Sequence, residues 1–192
     1  MIEGLQRVCV KLYAPEPKGV GDQVFVPIFH EWISTHALSD VVLVDVADYA
    51  HAPESPGIML VGHEVSFAMD RADGRYGLLA QRRAGSGGDA VEAIAATLRQ
   101  ALRAAARLER DPRLMGRLDF ETGLLRVEAN DRLRAPNTDE GYLAFEPCVR
   151  RAVEAVFPGR ALQLTRVAND PRDRLAVEVR LEESSDLDAF AA

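Results

Sequence analysis

Apolar and polar positions alternate along residues 5–13, with Val8, Val10 and Leu12 on one face and Arg7, Cys9, Lys11 and Tyr13 on the other. That period of two predicts a half-buried strand. A loop containing Pro and Gly covers 14–21, and a short helix follows with Pro27 in its first turn. Here the spacing changes to threes and fours: Phe25, Ile28, Phe29, Trp32, Ile33 and His36 share a buried face, leaving His30, Glu31, Ser34 and Thr35 opposite. Residues 41–46 and 58–61 hold the most continuous apolar runs, broken only by Asp45, and read as strands covered on both sides at the centre of a sheet. Gly62 marks a bulge or bend, after which Val65, Phe67 and Met69 alternate inward. Asp73-Gly74 predicts a tight turn, and 76–83 the third strand of this group.

The segment 84–88, Ala-Gly-Ser-Gly-Gly, is the expected boundary between two halves. Asp89, with Glu92 three residues on, predicts a capping box that opens a helix to about Arg110, with Val91, Ile94, Leu98, Leu102, Ala105 and Leu108 as its apolar stripe. A hairpin is expected from 114–120 and 124–129 around Glu121-Thr122-Gly123. Next comes a helix carrying Tyr142, Phe145, Val149, Val153, Val156 and Phe157, kinked or restarted at Pro147. Strands at 162–167 and 175–181 flank the turn Asn169-Asp170-Pro171-Arg172. The order predicts an α+β fold, mostly antiparallel sheet with three helices packed on one side. The expected organisation is an N-terminal α+β half at 1–84, a C-terminal α+β half at 89–182 and a flexible acidic tail at 183–192, or one continuous domain. The succession strand, helix, strand, strand begins at Leu5 and again at Leu124, so a degenerate internal duplication is one reading.

A chain of 192 residues, 47% apolar and 28% charged, is long enough to bury a core without a disulfide or metal. No apolar run approaches the ~20 residues of a membrane span, and the first residues lack an export leader, so the expected location is cytoplasmic. A formal charge of −7 disfavours broad contact with nucleic acid or an anionic membrane, though a local basic patch is compatible with it. Cys9 and Cys148 stand in no metal-binding or redox spacing and read as reduced, buried filler.

Candidate chemistry begins with absences. The chain has no Gly-x-Ser-x-Gly elbow, phosphate-binding loop, His-Glu-x-x-His or dinucleotide glycine fingerprint. Gly85, Gly87 and Gly88 precede a helix, but Asp89 occupies the cap that an anion would need, which favours a linker. A general acid/base or metal-assisted site would draw on Asp45, Asp48, His51, His63 and Glu64. In an antiparallel hairpin of 41–46 with 58–61, residue 60 faces residue 45 and His63 lies near residue 42, about 10 Å along the strand from Asp45 at ~3.4 Å per residue. The candidates therefore divide into Asp45, Asp48, Tyr49 and His51 at a loop end, and His63 with Glu64 at the glycine bend. Loop capping by the aspartates and a hydrogen-bonded histidine are the plainer readings. Arg99, Arg103 and Arg107 repeat every four residues and form either an anion or acidic-partner stripe or a solvated face. Arg132 and Arg134 make a similar loop cluster. No metal and no cofactor is called for.

The combination FVPIFHEWI, DVADYAHAPESPGIMLVGHE and DGRYGLL resembles an uncharacterised family of bacterial proteins over roughly residues 1–85. The resemblance implies a bacterial cytosolic origin and no activity. The leading expectation is a non-enzymatic cytosolic protein that binds a protein partner or forms a homo-oligomer, motivated by the missing catalytic motifs and by sheet edges open to pairing. The alternatives are a small hydrolase or metal-assisted enzyme using His63–Glu64 or Asp45–Asp48–His51, and a small-molecule sensor with a pocket lined by Trp32, Phe67 and Tyr76.

Overall fold

The computed structural model describes residues 2–49, 56–83, 88–182 and 186–190. Among these, eight strands form one antiparallel sheet: β1 (Val8–Tyr13), β2 (Leu43–Asp48), β3 (Ile58–Gly62), β4 (Val65–Asp70), β5 (Gly77–Arg82), β6 (Leu124–Ala129), β7 (Leu162–Arg166) and β8 (Ala176–Leu181). Their spatial order is β2-β3-β4-β5-β1-β6-β8-β7. Helices α1 (Phe25–Ser34), α2 (Ala90–Glu109) and α3 (Asp139–Val156) complete the predicted α+β fold, and none is long and apolar enough to cross a membrane.

The topology has a simple logic. Each half begins with a central strand, crosses by a helix to an outer edge, and returns as an antiparallel meander that ends beside its own first strand. In the first half, β1 leads through α1 to β2, and β3, β4 and β5 walk back to β1. In the second, β6 leads through α3 to β7, and β8 returns to β6. The two leading strands pair with each other, Val10 opposite Val127. The repeated strand, helix, strand, strand order thus has a spatial counterpart, with four returning strands in one half and two in the other.

The helices form where the chain caps them. The Asp89 carboxylate accepts the Glu92 amide at 2.9 Å and Glu92 accepts the Asp89 amide at 3.3 Å, the reciprocal box expected there. Thr138 accepts the Gly141 amide at the start of α3. The alanine-rich α2 is buried on several sides because it lies against β1, β5 and α3, where small side chains permit close approach. Val8, Val10, Leu12, Phe67, Leu78, Val127 and Val179 meet the helices in a single apolar cluster.

Several local expectations are corrected. Residues 41–46 lie at the sheet's edge instead of its centre: among the described residues β2 pairs only with β3, and Val42 and Val44 are 70% and 59% exposed. The β2–β3 register is one residue off the expectation, with Asp45 opposite Val61, because it shifts between Leu43 and Asp45. The chain reverses fully at His63-Glu64, just after Gly62, so 58–69 is a hairpin of two strands, Leu60 opposite Phe67; a Cβ at Gly62 would stand 2.0 Å from the Val65 carbonyl oxygen. Residues 114–120 form no strand. Asp111 caps a short 3-10 turn at Pro112–Leu114, Met115 and Gly116 adopt φ of 53° and 64°, and the Phe120 amide is held by Glu109 at the end of α2. His36 leaves the buried face, since the helix ends before it and its φ of 51° turns it outward, exposed. Helix α3 runs through Pro147, whose missing amide would have served Leu143 on the exposed side of the helix.

Candidate functional site

The strand alternation that sends Val8, Val10 and Leu12 to the helices sends Cys9, Lys11 and Tyr13 to the other face. All three are at most 3% exposed, yet Cys9 and Tyr13 stand outside the cluster that joins sheet to helices. Register places Leu79 and Arg126 beside Lys11, and Glu128 beside Cys9. Asp70 and Ser66 share this face on β4, both buried. Two connections fold over it: the β4–β5 turn at 71–76 and the β7–β8 loop at 167–175.

The result is a chain of alternating charges. Lys11 Nζ donates to Asp70 at 2.7 Å, to Asp73, and to the Arg75 carbonyl at 2.7 Å, so its three N–H groups are committed. The Tyr13 hydroxyl donates to Asp73 at 2.9 Å, and the Arg75 guanidinium stacks 3.6 Å from the Tyr13 ring centre. Arg126 lies 3.6 Å from Asp73 and 2.8 Å from Glu128, and Glu128 reaches Arg174 at 3.4 Å. The Arg126 Nε is nevertheless buried without a hydrogen bond, because its N–H is not aligned with the nearby carboxylate.

Burial alone would raise the Asp73 carboxyl, but hydrogen bonds and charge from Lys11, with the Tyr13 hydroxyl and the Arg75 amide, hold it below its ordinary value. Tyr13 is pushed upward by burial first and then by Asp73, so it remains a protonated donor. Burial, reinforced by Glu128, pushes the Cys9 thiol up to about 12. A thiol held there supplies no thiolate at neutral pH, which argues against nucleophilic chemistry by Cys9.

Between the sheet and the 167–175 loop is a cavity of about 560 Å³. Lys11, Arg126 and Arg174 face it with Asp70, Asp73, Glu128 and Asp173, and Leu79, Val167 and Ala168 supply apolar wall. Asn169 pins the loop by donating to the Arg174 carbonyl at 2.9 Å and accepting from Asn137 at 2.8 Å. The arrangement offers fixed donors and acceptors of both signs in a concave, partly apolar setting, as small-ligand sites do.

The residues singled out from sequence are dispersed. His63 is exposed at the β3–β4 turn, with its backbone amide on the Val42 carbonyl; Glu64 instead pairs with Arg82 at 3.2 Å. The Asp45 carboxylate accepts the Val46 amide at 2.7 Å, and Asp48 accepts from Gln23 at 2.9 Å. His51 lies outside the described residues. No group of three or more His, Cys, Asp or Glu among the described residues is placed to hold a metal ion. Trp32, Phe67 and Tyr76 are packed in the core cluster, with the Trp32 ring against Phe29. Arg99 donates to the Ala155 carbonyl of α3, Arg103 pairs with Asp40 at 2.7 Å, and Arg107 is exposed.

No protein-family model, no curated protein and no solved structure matches this chain. Sequence reading passed over Lys11, Asp70, Asp73, Arg126, Glu128 and Arg174. The signal was available in the alternation itself: strands with one wholly apolar face carried Lys11 on β1 and Arg126 and Glu128 on β6.

Proposed function

We propose that the protein is a non-enzymatic binding protein, and that its ligand is a small polar molecule seated against the sheet face opposite the helices. The observation that carries this reading is the 560 Å³ cavity lined by the Lys11, Asp70, Asp73, Arg126, Glu128 and Arg174 network. Three cations and four carboxylates face the cavity, so neither sign prevails, and an amino-acid-like zwitterion fits that balance better than a simple anion or cation. Committed donors, a protonated Tyr13 and a Cys9 thiol held in its neutral form support recognition over chemistry. Buried, free Cys9 and Cys148 fit a reducing compartment such as the bacterial cytosol.

Association through the exposed edge has less support. The register shift near Val44 disturbs a flat pairing surface, and Asp45 turns back onto the Val46 amide, devices that blunt an edge against a second copy. The deciding measurement is amide-resolved NMR of the whole chain titrated with amino acids, sugar acids and nucleosides. Saturable shifts around Lys11, Arg126 and Arg174 that vanish in a folded Arg126→Gln variant are expected. A panel that shifts none of these positions would overturn the reading.

A further inference from the structure

At one end of the sheet this acidic chain presents a basic cleft. Arg7 immediately precedes β1 and Arg83 immediately follows β5, both exposed. Arg7 lies two residues before Cys9 and Arg83 two residues after Gln81, the last pair in the β1–β5 register, so both stand at the same end of the two strands. On the other side of β1, the Asn130 amide donates to the Arg7 carbonyl at 2.9 Å, which brings the loop after β6 to the same end. Arg7, Arg83, Arg134, Asp131, Gln6 and Leu133 border a cleft of about 600 Å³ there, sharing no residue with the cavity of the charge network.

Charge is unbalanced in this cleft. Asp131 is the carboxylate among its lining residues; it accepts the Leu133 and Arg134 amides at 3.1 and 3.2 Å, and its nearest approach to the Arg134 guanidinium is 3.7 Å. Arg134 also donates to the Glu3 carbonyl at 3.1 Å. Among the described residues, neither Arg7 nor Arg83 has an ion-pair partner. Guanidinium groups gathered around one cleft repel one another unless something neutralises them. Leu133, 97% exposed on the cleft's border, offers an apolar surface beside the guanidinium groups.

We infer that the cleft between Arg7, Arg83 and Arg134 binds the phosphate group of a small organic phosphate whose carbon portion rests against Leu133. Guanidinium forks match phosphate oxygens in pairs, and such charge-assisted bonds are stronger than neutral ones. This assignment is independent of the zwitterion cavity, so either can fail alone.

Calorimetric titration of the full chain with inorganic phosphate and with phenyl phosphate, at constant ionic strength, tests it. Phenyl phosphate should bind saturably and more tightly than inorganic phosphate. Arg7→Gln and Arg83→Gln should each weaken both probes by about tenfold or more, the scale of one lost hydrogen bond to a charged group. Leu133→Ala should reduce phenyl phosphate toward the inorganic level while leaving inorganic phosphate unchanged. All three substitutions are at exposed positions, and circular dichroism of each variant checks that it is folded. Binding that survives both arginine substitutions overturns the inference, as does an equal response to chloride. Equal affinity for the two phosphates overturns the organic-phosphate assignment.

Discussion

Replacing Lys11 by Met tests whether the buried network is held together as described. Lys11 is 3% exposed and bridges Asp70 and Asp73, whose side chains are 6% and 14% exposed. Methionine keeps most of the volume but removes the cation, leaving the buried Asp70 and half-buried Asp73 carboxylates without their shared donor. Removing one member of a buried pair costs about 3–5 kcal/mol, whereas an exposed pair contributes about 0–1 kcal/mol. Urea unfolding at neutral pH should therefore show a midpoint shift of the larger size with an unchanged slope. Adding Asp70→Asn and Asp73→Asn to Lys11→Met should recover most of the loss, because the unpaired charges are then gone.

The same substitution makes a prediction about pH. In the native protein Asp73 titrates below its ordinary value of 3.8, so its contribution to stability is present above that value and lost as pH falls through the lowered one. Without Lys11 the main cause of that lowering disappears, and burial is opposed only by the Tyr13 hydroxyl and the Arg75 amide, so the carboxyl titrates higher than in the parent. Lys11→Met should then be most damaging at neutral pH, and the gap to the parent should narrow as pH falls toward ~4 and the Asp73 carboxylate takes up a proton. A single variant that costs less than about 1 kcal/mol, or a gap that does not change with pH, would show that the network is no more than a surface ion pair.

Three further outcomes follow from the fold. Asp89→Ala removes the half of the capping box in which the Asp89 carboxylate accepts the Glu92 amide and should lower stability by about 1 kcal/mol in chemical denaturation, with far-UV dichroism of the folded state nearly unchanged. Gly77→Ala would place a Cβ 2.2 Å from the Leu12 carbonyl oxygen in the β5–β1 pairing, so its cost should exceed the ~1 kcal/mol of an average point substitution. Cys9 and Cys148 are buried, and the Cys9 thiol is raised to about 12, so an aromatic disulfide reagent should label neither cysteine in the native protein at mildly alkaline pH and both in denaturant.

Periodicity made most of the elements legible, because burial acts on one face at a time. Val8, Val10 and Leu12, the Phe25-to-Trp32 stripe and the Asp89 box each declare their structure within a few residues. Strand order was not legible that way. The run 41–46 is as apolar as a central strand, yet it sits at an edge with Val42 and Val44 exposed, so its apolar content reports neither a neighbour at its side nor cover on both faces. The 114–120 segment failed for a local reason: Asp111-Pro112 followed by two residues at positive φ overrides its apolar content. The candidate site was hidden by a third cause. Histidines and paired carboxylates draw attention as chemistry, but here His30, His36 and His63 are exposed and lie on separate elements. The charges that converge are a lysine, arginines and carboxylates from β1, β4, β6 and two loops, distant in sequence and adjacent only through the β4-β5-β1-β6 order. A charged residue on the second face of a strand whose first face is wholly apolar is ordinary when that face meets water. It becomes a candidate for function only when topology puts it at the middle of the sheet, where Lys11 is 3% exposed and must find its partners within the protein.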